Sequence, residues 1–465
     1  MDFLPTMPQS HKTDNFVPDY KQFFGYATIT LVLASVNLAL KVVEMELNNE
    51  SRSQKDRSTY IRRKRRKLED LRYEYGSFFR RAYRMSYESF QKLYCLIKDG
   101  IEEHIKRGQS RNESPFAPNG CVTADIRLAI ALRWFAGGSY LDIKISHSVG
   151  KDEVYRSIWA VVSAVNKCDE LKIAFPTNTE GLKDIANEFS KRSKAGFTNC
   201  VGCIDGLLVW IDKPRKTSCV RAGVDSGKFY CGRKGKYGLN LQGVCDARRR
   251  FLDVSISHPA SASDYLAFIT SSLYQKLTSV DTALPPGYCL YGDNAYVNDS
   301  FMAVPFPNTA SGPKDSYNYY HSQVRINIEC AFGVLTNRWR ILKAPINSTI
   351  SVNRVMGLVY CLCQLHNFCI DEGDSNAPSR YEHDVMTLMD FAVSPDVDDL
   401  GTDARPIGLL GGSEHFEDIQ GGRRGLTTRV NRANTHNELP RTAMLRHVIN
   451  RDIHRTRPFD QGGEK

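Results

Sequence analysis

Three features of this chain predict an α/β fold. An apolar, alternating run at Val201–Ile211 reads as a strand buried on at least one face. Two further strand-like runs, Leu239–Cys245 and Phe251–Ser257, flank Asp246–Arg250 and read as a hairpin. An apolar stripe at Ile328, Phe332, Leu335, Trp339 and Leu342 recurs at helical spacing and predicts a long helix from about Gln323 to Leu342. With the short strand Tyr288–Tyr291 between hairpin and helix, the order is strands, helix, strand, helix, which is the α/β pattern.

The chain has 465 residues, enough for about two to three units. Hydrophobic residues make up 42% of it, so a sizeable core can form. Basic residues number 62 against 52 acidic, a net charge of +10. That excess suits a polyanionic partner such as nucleic acid, and equally a solvated surface with spare lysines. The 13 cysteines are odd in number and scattered, the pattern of free thiols in a reducing compartment. Cys200 and Cys203 form a C-x-x-C, but Cys219 and Cys231 lie too far apart to complete a zinc ribbon, so packed thiols are expected. No G-x-x-x-x-G-K-[ST] loop is present, which argues against nucleotide hydrolysis.

No cleavable signal peptide pattern opens the sequence, and residues 1–20 are polar and irregular. Phe23–Leu40 carries no charge over 18 residues, the lower edge of a membrane span. Gly25, Thr28, Thr30, Ser35 and Asn37 weaken it, and a buried or partner-binding helix is expected instead of a span. The basic run Ile61–Lys67 is a nucleic-acid contact, a nuclear import signal or a solvated helix face. Residues 69–107 read as helical, with Phe78, Phe79, Tyr83, Phe90, Leu93 and Leu96 as core positions. Thr123 is placed to cap a helix over Ile126–Phe135, which Gly137-Gly138 stops. Ser139 caps a short second helix, Gly150 marks a turn, and Asp152–Val165 is a third. Helix, tight turn, helix can seat one helix in a DNA groove. The third helix opens Lys151, Asp152, Glu153, however, which fits a small bundle without base contacts equally well.

Further on, Ser261 or Ser263 caps a helix over Tyr265–Leu277, and Asp264 reads as an acid of its first turn rather than a catalyst. Gly292-Asp293 ends the Tyr288–Tyr291 strand. Residues 371–433 are rich in Asp, Gly, Ser and Pro and read as disordered, with a short helix at Arg441–Arg451 near the end of the tail. The expected divisions are therefore 1–68, a helical region 69–170 that could bind DNA, an α/β domain 195–370, and a mostly disordered tail 371–465.

Asp205 interrupts an apolar strand, where a lone carboxylate is costly unless something pairs with it. Asp293 stands at a strand end, and Glu329 at the edge of the helical stripe, one residue from Ile328. All three elements pack in one α/β layer. Hard oxygen ligands of this kind favour Mg²⁺ or Mn²⁺, and two such ions can activate water and stabilise a leaving oxygen on a phosphodiester. On residue chemistry alone this reading stands beside a second, in which the three are unrelated capping or surface acids. The helix also carries Arg325, Arg338, Arg340 and Lys343, available for phosphates, and Gly232–Gly238 (GRKGKYG) puts Arg233, Lys234 and Lys236 in a basic loop that either grips a backbone or is a plain hairpin tip.

Ordered motifs sharpen this. Ile204–Gly206 (IDG), Tyr237–Asp246 (YGLNLQGVCD) with Phe251–Val254, Pro259–Asp264 (PASASD), Gly292–Tyr296 (GDNAY) with Pro305-Phe306, Arg325–Leu342 (RINIECAFGVLTNRWRIL) and Leu365-His366-Asn367 follow one another as in the PIF/Harbinger transposase superfamily. Phe79–Leu93 and Arg127–Gly138 resemble its upstream helical region, so the likeness spans roughly residues 70–370. Ala260 replaces a usual Gly, and Asn294-Ala295 stand where Ser-Gly is common, which touches the geometry near Asp264 and Asp293 but removes no ligand. The resemblance implies an RNase H-like DDE nuclease domain preceded by a helix-turn-helix-like region. It implies Asp205, Asp293 and Glu329 as catalytic metal ligands for Mg²⁺ (or Mn²⁺). It further implies a nuclear DNA transposase that hydrolyses transposon ends and transfers the freed 3′-hydroxyl to target DNA, with a Myb-like accessory protein and a homo-oligomer as partners. The alternative within the same family is a host-adopted nuclease or a DNA-binding adaptor that no longer cuts.

Overall fold

The computed structural model describes residues 36, 38–44, 68, 78–108, 121–279, 284–374 and 439–454. The chain divides into two compact units, residues 1–64 and 65–465. In the first, the described positions 36 and 38–44 are helical and exposed. The uncharged run Phe23–Leu40 otherwise lies outside the described residues, as do the basic run Ile61–Lys67 and the tail from 375 to 438. Among the described residues no helix is long and apolar enough to cross a membrane.

The second unit opens with helices α1 (Phe78–Tyr83), α2 (Tyr87–Gly108), α3 (Ala124–Phe135), α4 (Tyr140–Ser146), α5 (Lys151–Lys167) and α6 (Thr179–Ser190). The helical stretch expected at 69–107 breaks at Arg84, whose φ of 67° no helix accommodates. Thr123 does hold the N-cap position of α3, but without a side-chain hydrogen bond, whereas the Ser139 hydroxyl accepts from the Leu141 N–H at α4. Gly137, at φ 95°, turns the chain between α3 and α4.

The sheet follows. Its strands are β1 (Cys200–Trp210), β2 (Tyr230–Cys231), β3 (Lys236–Cys245), β4 (Phe251–Pro259), β5 (Cys289–Tyr291) and β6 (Met302–Ala303), with α7 (Lys216–Ala222) before β2 and α8 (Asp264–Ile269) and α9 (Ser272–Thr278) before β5. β1 is central. It pairs antiparallel with β3, which pairs antiparallel with β4, and on its other side it pairs parallel with β5, which pairs parallel with β6. The short β2 adds to the far end of β3. The architecture is a mixed α/β sheet, as the order of elements predicts, with the hairpin where the sequence puts it.

Helices cover both faces. On one lie α10 (Pro313–Arg338) and α11 (Val352–Asp371); on the other, Leu182 and Ala186 of α6, Phe268 of α8 and Leu273 of α9 pack on Ile204, Val244 and Leu290. The helix expected over Tyr265–Leu277 is two, because the Ser271 hydroxyl caps a fresh start by accepting from the Tyr274 N–H. The stripe Ile328, Phe332, Leu335, Trp339 and Leu342 is buried, as its spacing predicts. The helix bearing it begins earlier, however, with Pro313 in its first turn. It also ends sooner: Trp339 leaves helical geometry (φ −101°, ψ 79°) and sinks its ring edge-on against Phe135, 6.1 Å away. The chain returns after residue 438 as α12 (Pro440–Asn450), which buries Met444 beside Tyr291 and donates from His447 Nε2 to the Ala195 carbonyl at 2.9 Å.

The Leu365-His366-Asn367 motif closes the joint between α11 and β4. Asn367 accepts from the Phe251 N–H and donates to the Phe251 carbonyl, both at 2.8 Å, which mimics a strand neighbour. His366 donates from Nε2 to the Arg249 carbonyl at 2.8 Å, and burial pushes its pKa down to about 3. Below pH ~6.5 the unfolded chain takes a proton at this position that the folded chain refuses. The site therefore carries no protonation cost above that pH, and stability falls as pH drops from there toward 3. Urea unfolding should lose about 1.4 kcal/mol per pH unit from this residue below pH ~6. His366→Gln should lower that slope by one proton equivalent; an unchanged slope would show that the ring is not held neutral.

Candidate active site

The centre of the site follows from the register of β1. Asp205 pairs with Gly243 on β3, so both face the same side, toward α10. A Cβ at Gly243 would stand 3.1 Å from the Phe332 ring of that helix, so the absence of a side chain lets α10 approach next to the acid. On the other edge, Cys203 pairs in parallel with Tyr291. Asp205 follows two residues further along β1, and Asp293 two residues past the end of β5, so both acids stand beyond the last parallel pair at the same end of these strands. Asp293 lies just past β5, where its Oδ1 accepts from the Ala295 N–H at 2.9 Å.

α10 brings the third acid and a cation. Arg325 Nη1 is 3.5 Å from Asp205 Oδ2, and Arg325 Nη2 is 2.5 Å from Glu329 Oε1, one helical turn on. Asp205 Oδ1 also accepts from the Gly206 N–H at 2.7 Å. Burial pushes the Asp205 pKa up to about 7; Arg325 opposes the rise, and the neighbouring charges of Asp293 and Glu329 add to it. Burial likewise raises Asp293, against the Ala295 N–H and Arg325, with Asp264 and Glu329 adding to the rise. Burial works against the Arg325 guanidinium too, yet Glu329, Asp205 and Asp293 together hold it above its ordinary range. The acids are thus gathered round one guanidinium. Among the described residues no three His, Cys, Asp or Glu side chains stand close enough together to hold one metal ion. The chemistry of the donor set nonetheless fits a hard divalent cation: all carboxylate oxygens, two of them on acids whose burial resists ionisation unless positive charge is near.

Behind Asp205, on the opposite face of the sheet, lies a polar network. Asp264 Oδ1 accepts from Asn240 Nδ2 at 2.9 Å and from Gln242 Nε2 at 3.0 Å. Gln242 Oε1 in turn accepts from the Tyr296 hydroxyl at 2.6 Å. The network sits over Gly206, where a Cβ would fall 2.0 Å from Asp264 Oδ1. Asp264 does open a helix, α8, as its sequence position suggests. It also ties β3 to the loop of Asp293 through Gln242 and Tyr296. The available signal was the polar pair Asn240 and Gln242, two residues apart in an apolar strand and hence on one face.

The basic candidates separate. Arg233 and Lys234 are exposed between β2 and β3, and Lys236, exposed at the start of β3, has its Nζ 3.2 Å from the Trp210 ring centre. Trp210 stands five residues beyond Asp205 on β1, about 17 Å along the strand. Arg325, expected to face phosphate, points at the acids instead. Arg338 is also corrected: it is buried and donates to the backbone carbonyls of Arg84 at 3.0 Å and Asp374 at 2.6 Å. Nine residues after Glu329 is about two and a half helical turns, so Arg338 points the opposite way from the acid. Arg340, beyond the helix end, is exposed. All 13 cysteines are free, and Cys200 and Cys203 are packed with their sulfurs 4.0 Å apart.

Residues 204–367 match the family model of the DDE superfamily endonucleases. The match bears out the likeness drawn from the ordered motifs. Two Arabidopsis thaliana proteins are similar over most of that span and beyond: Protein ALP1-like, 24% identical over 324 residues covering 66% of this chain and 75% of the relative, and Antagonist of like heterochromatin protein 1, 25% identical over 324 residues covering 66% and 77%. No solved structure matches the chain.

Proposed function

We propose that this chain is a divalent-metal-dependent DNA nuclease of the transposase type, with Asp205, Asp293 and Glu329 as its metal ligands. The observation that carries the reading is the convergence of these acids on Arg325 from a central strand, a strand end and a helix, inside the endonuclease match. The RNase H-like reading of the domain is supported by the strand order β4-β3-β1-β5-β6, an antiparallel meander extended by two parallel strands, with the first acid on the central strand. DDE superfamily endonucleases generally use divalent metals; bound here, Mg²⁺ or Mn²⁺ would supply activation of water and stabilisation of the leaving oxygen. The protein's part is to hold the acids. β1 fixes Asp205 rigidly, the Ala295 N–H orients Asp293, and Arg325 restrains Asp205 and Glu329 against mutual repulsion. Hydrolysis at an element end would free a 3′-hydroxyl, which then attacks target DNA.

The helical region before the sheet, α3 to α5 with its tight turns, is the proposed second DNA contact, and residues 1–68, 69–170, 195–370 and 371–465 are the proposed divisions. Nuclear location, a Myb-like accessory protein and a homo-oligomer complete the reading. A second reading, a host-adopted adaptor that does not cut, takes support from one relative's name, which concerns a heterochromatin protein rather than an element. Retention of all three acids favours the nuclease. The test is incubation of the full chain with plasmid DNA carrying its candidate terminal repeats. Cleavage with Mg²⁺ or Mn²⁺ that EDTA abolishes is expected. Sequence-specific binding without cleavage under either metal would favour the adaptor.

A further inference from the structure

At the far end of α10 three separate segments bring basic side chains together. Arg338 fastens the helix end to the α1–α2 turn by donating to the Arg84 carbonyl at 3.0 Å. Arg84, in left-handed backbone geometry at φ 67°, reaches back and donates from Nη2 to the Ala136 carbonyl at 3.5 Å, at the C-terminal end of α3. The next residue, Gly137, lies under Arg340: a Cβ there would meet Arg340 Cβ at 3.1 Å. Arg340 and Lys343 share the single 3-10 turn that follows α10, and both are exposed. Two further cations near this junction are already matched, Arg133 by Asp142 at 2.8 Å and Arg80 by Asp374 at 3.2 Å. Among the described residues no carboxylate pairs with Arg340, and Lys343 is held by the neutral Asn337 side chain. Burial and then the charges of Arg340, Arg133, Arg338 and Arg81 push Arg84 below its ordinary range, and burial with Arg340 and Arg84 does the same to Lys343. Like charges so placed repel, and an anion of several negative oxygens is what relieves them.

We infer that Arg84, Arg340 and Lys343 form a phosphate-binding site for the backbone of the DNA on which the acids act. This rests on the nuclease reading above. The rise along α10 from Glu329 to its end at Arg338 is about 14 Å, roughly four nucleotides of one strand, and the exposed Arg340 and Lys343 follow on the turn beyond that end. The ligand class is the DNA backbone rather than a base, because guanidinium and ammonium groups on a turn recognise phosphate charge without reading sequence. The α3 end explains only part of the cluster, since its helix dipole accounts for Arg84 at the Ala136 carbonyl but not for the two exposed cations.

The test is fluorescence anisotropy of the full chain with a labelled duplex of about 30 base pairs, titrated between about 50 and 200 mM salt. The double variant Arg340→Gln with Lys343→Gln should bind about tenfold more weakly at low salt, and its log–log salt slope should shrink by about one to two, roughly 0.9 for each phosphate no longer neutralised. Both residues are exposed, so folding is preserved; a matching thermal melt checks this. Arg84→Gln should shrink the slope by about one more. A double variant with the wild-type slope overturns the site, while loss of cleavage on Asp205→Asn in parallel leaves the nuclease reading standing. Loss of binding with no change in slope points to an acidic protein partner or to misfolding and also overturns it. A wild-type chain that neither binds nor cuts DNA overturns both.

Discussion

Asp205→Asn is expected to lower metal-dependent cleavage on the order of 10³-fold with little change in the melting temperature. The substitution keeps volume and shape and removes only the charge. Asp205 lies on the central strand, paired with Gly243 of β3 and two residues beyond the last pair with β5 at Cys203, so the backbone around it is held. Its pKa is already pushed up to about 7 by burial, so neutralising it relieves a desolvation cost and gives up only the ion pair with Arg325. Asp293→Asn and Glu329→Gln should be comparably inactive. Because the three act on one metal site, combining two of these changes should cost little beyond either alone. Cleavage rates read on the same DNA substrate decide the matter: full activity in all three single variants would end the assignment, and a loss that rises additively would separate the acids into independent roles.

Much of this was legible before the fold. β1 and the hairpin were readable because their alternation and turn have short period, and the stripe on α10 was readable because each of its residues is buried. Register then did what the sequence could not: the Cys203–Tyr291 pair, 88 positions apart in the chain, brings Asp293 to the end of the sheet where Asp205 stands. The first half of α10 was missed because Tyr317 and Tyr320 are buried with their hydroxyls on the Val304 and His454 carbonyls and make no simple stripe. Arg338 was misjudged because basic residues near a helix end read as surface until the helical phase is counted from Glu329. The role of Asp264 was invisible locally, since its partners Asn240 and Gln242 lie on another element and Gly206 on a third.

That last cluster carries the second large expected effect. A methyl group at position 206 has nowhere to go: its carbon would fall 2.0 Å from Asp264 Oδ1 and 2.8 Å from Gln242 Nε2. Asp264 is short and accepts from two donors, so swinging aside gives up both of those hydrogen bonds. Strand β1 must then shift, and the Gly206 N–H that orients Asp205 shifts with it. Gly206→Ala should cost about 1–3 kcal/mol of stability and, through Asp205, about 10- to 100-fold in cleavage. Asp264→Ala alone should cost less stability, because the polar groups it leaves behind still bond one another through Gln242 and Asn240. Made together, the two changes should be milder than their sum, since the methyl now enters the space the carboxylate held. The readout that separates positioning from simple packing is the metal titration. If the network aligns Asp205 and Asp293, Gly206→Ala raises the Mg²⁺ concentration needed for half-maximal cleavage, and the double variant brings it back toward wild type. Strict additivity in stability, or an unshifted metal titration, would reduce the network to ordinary packing.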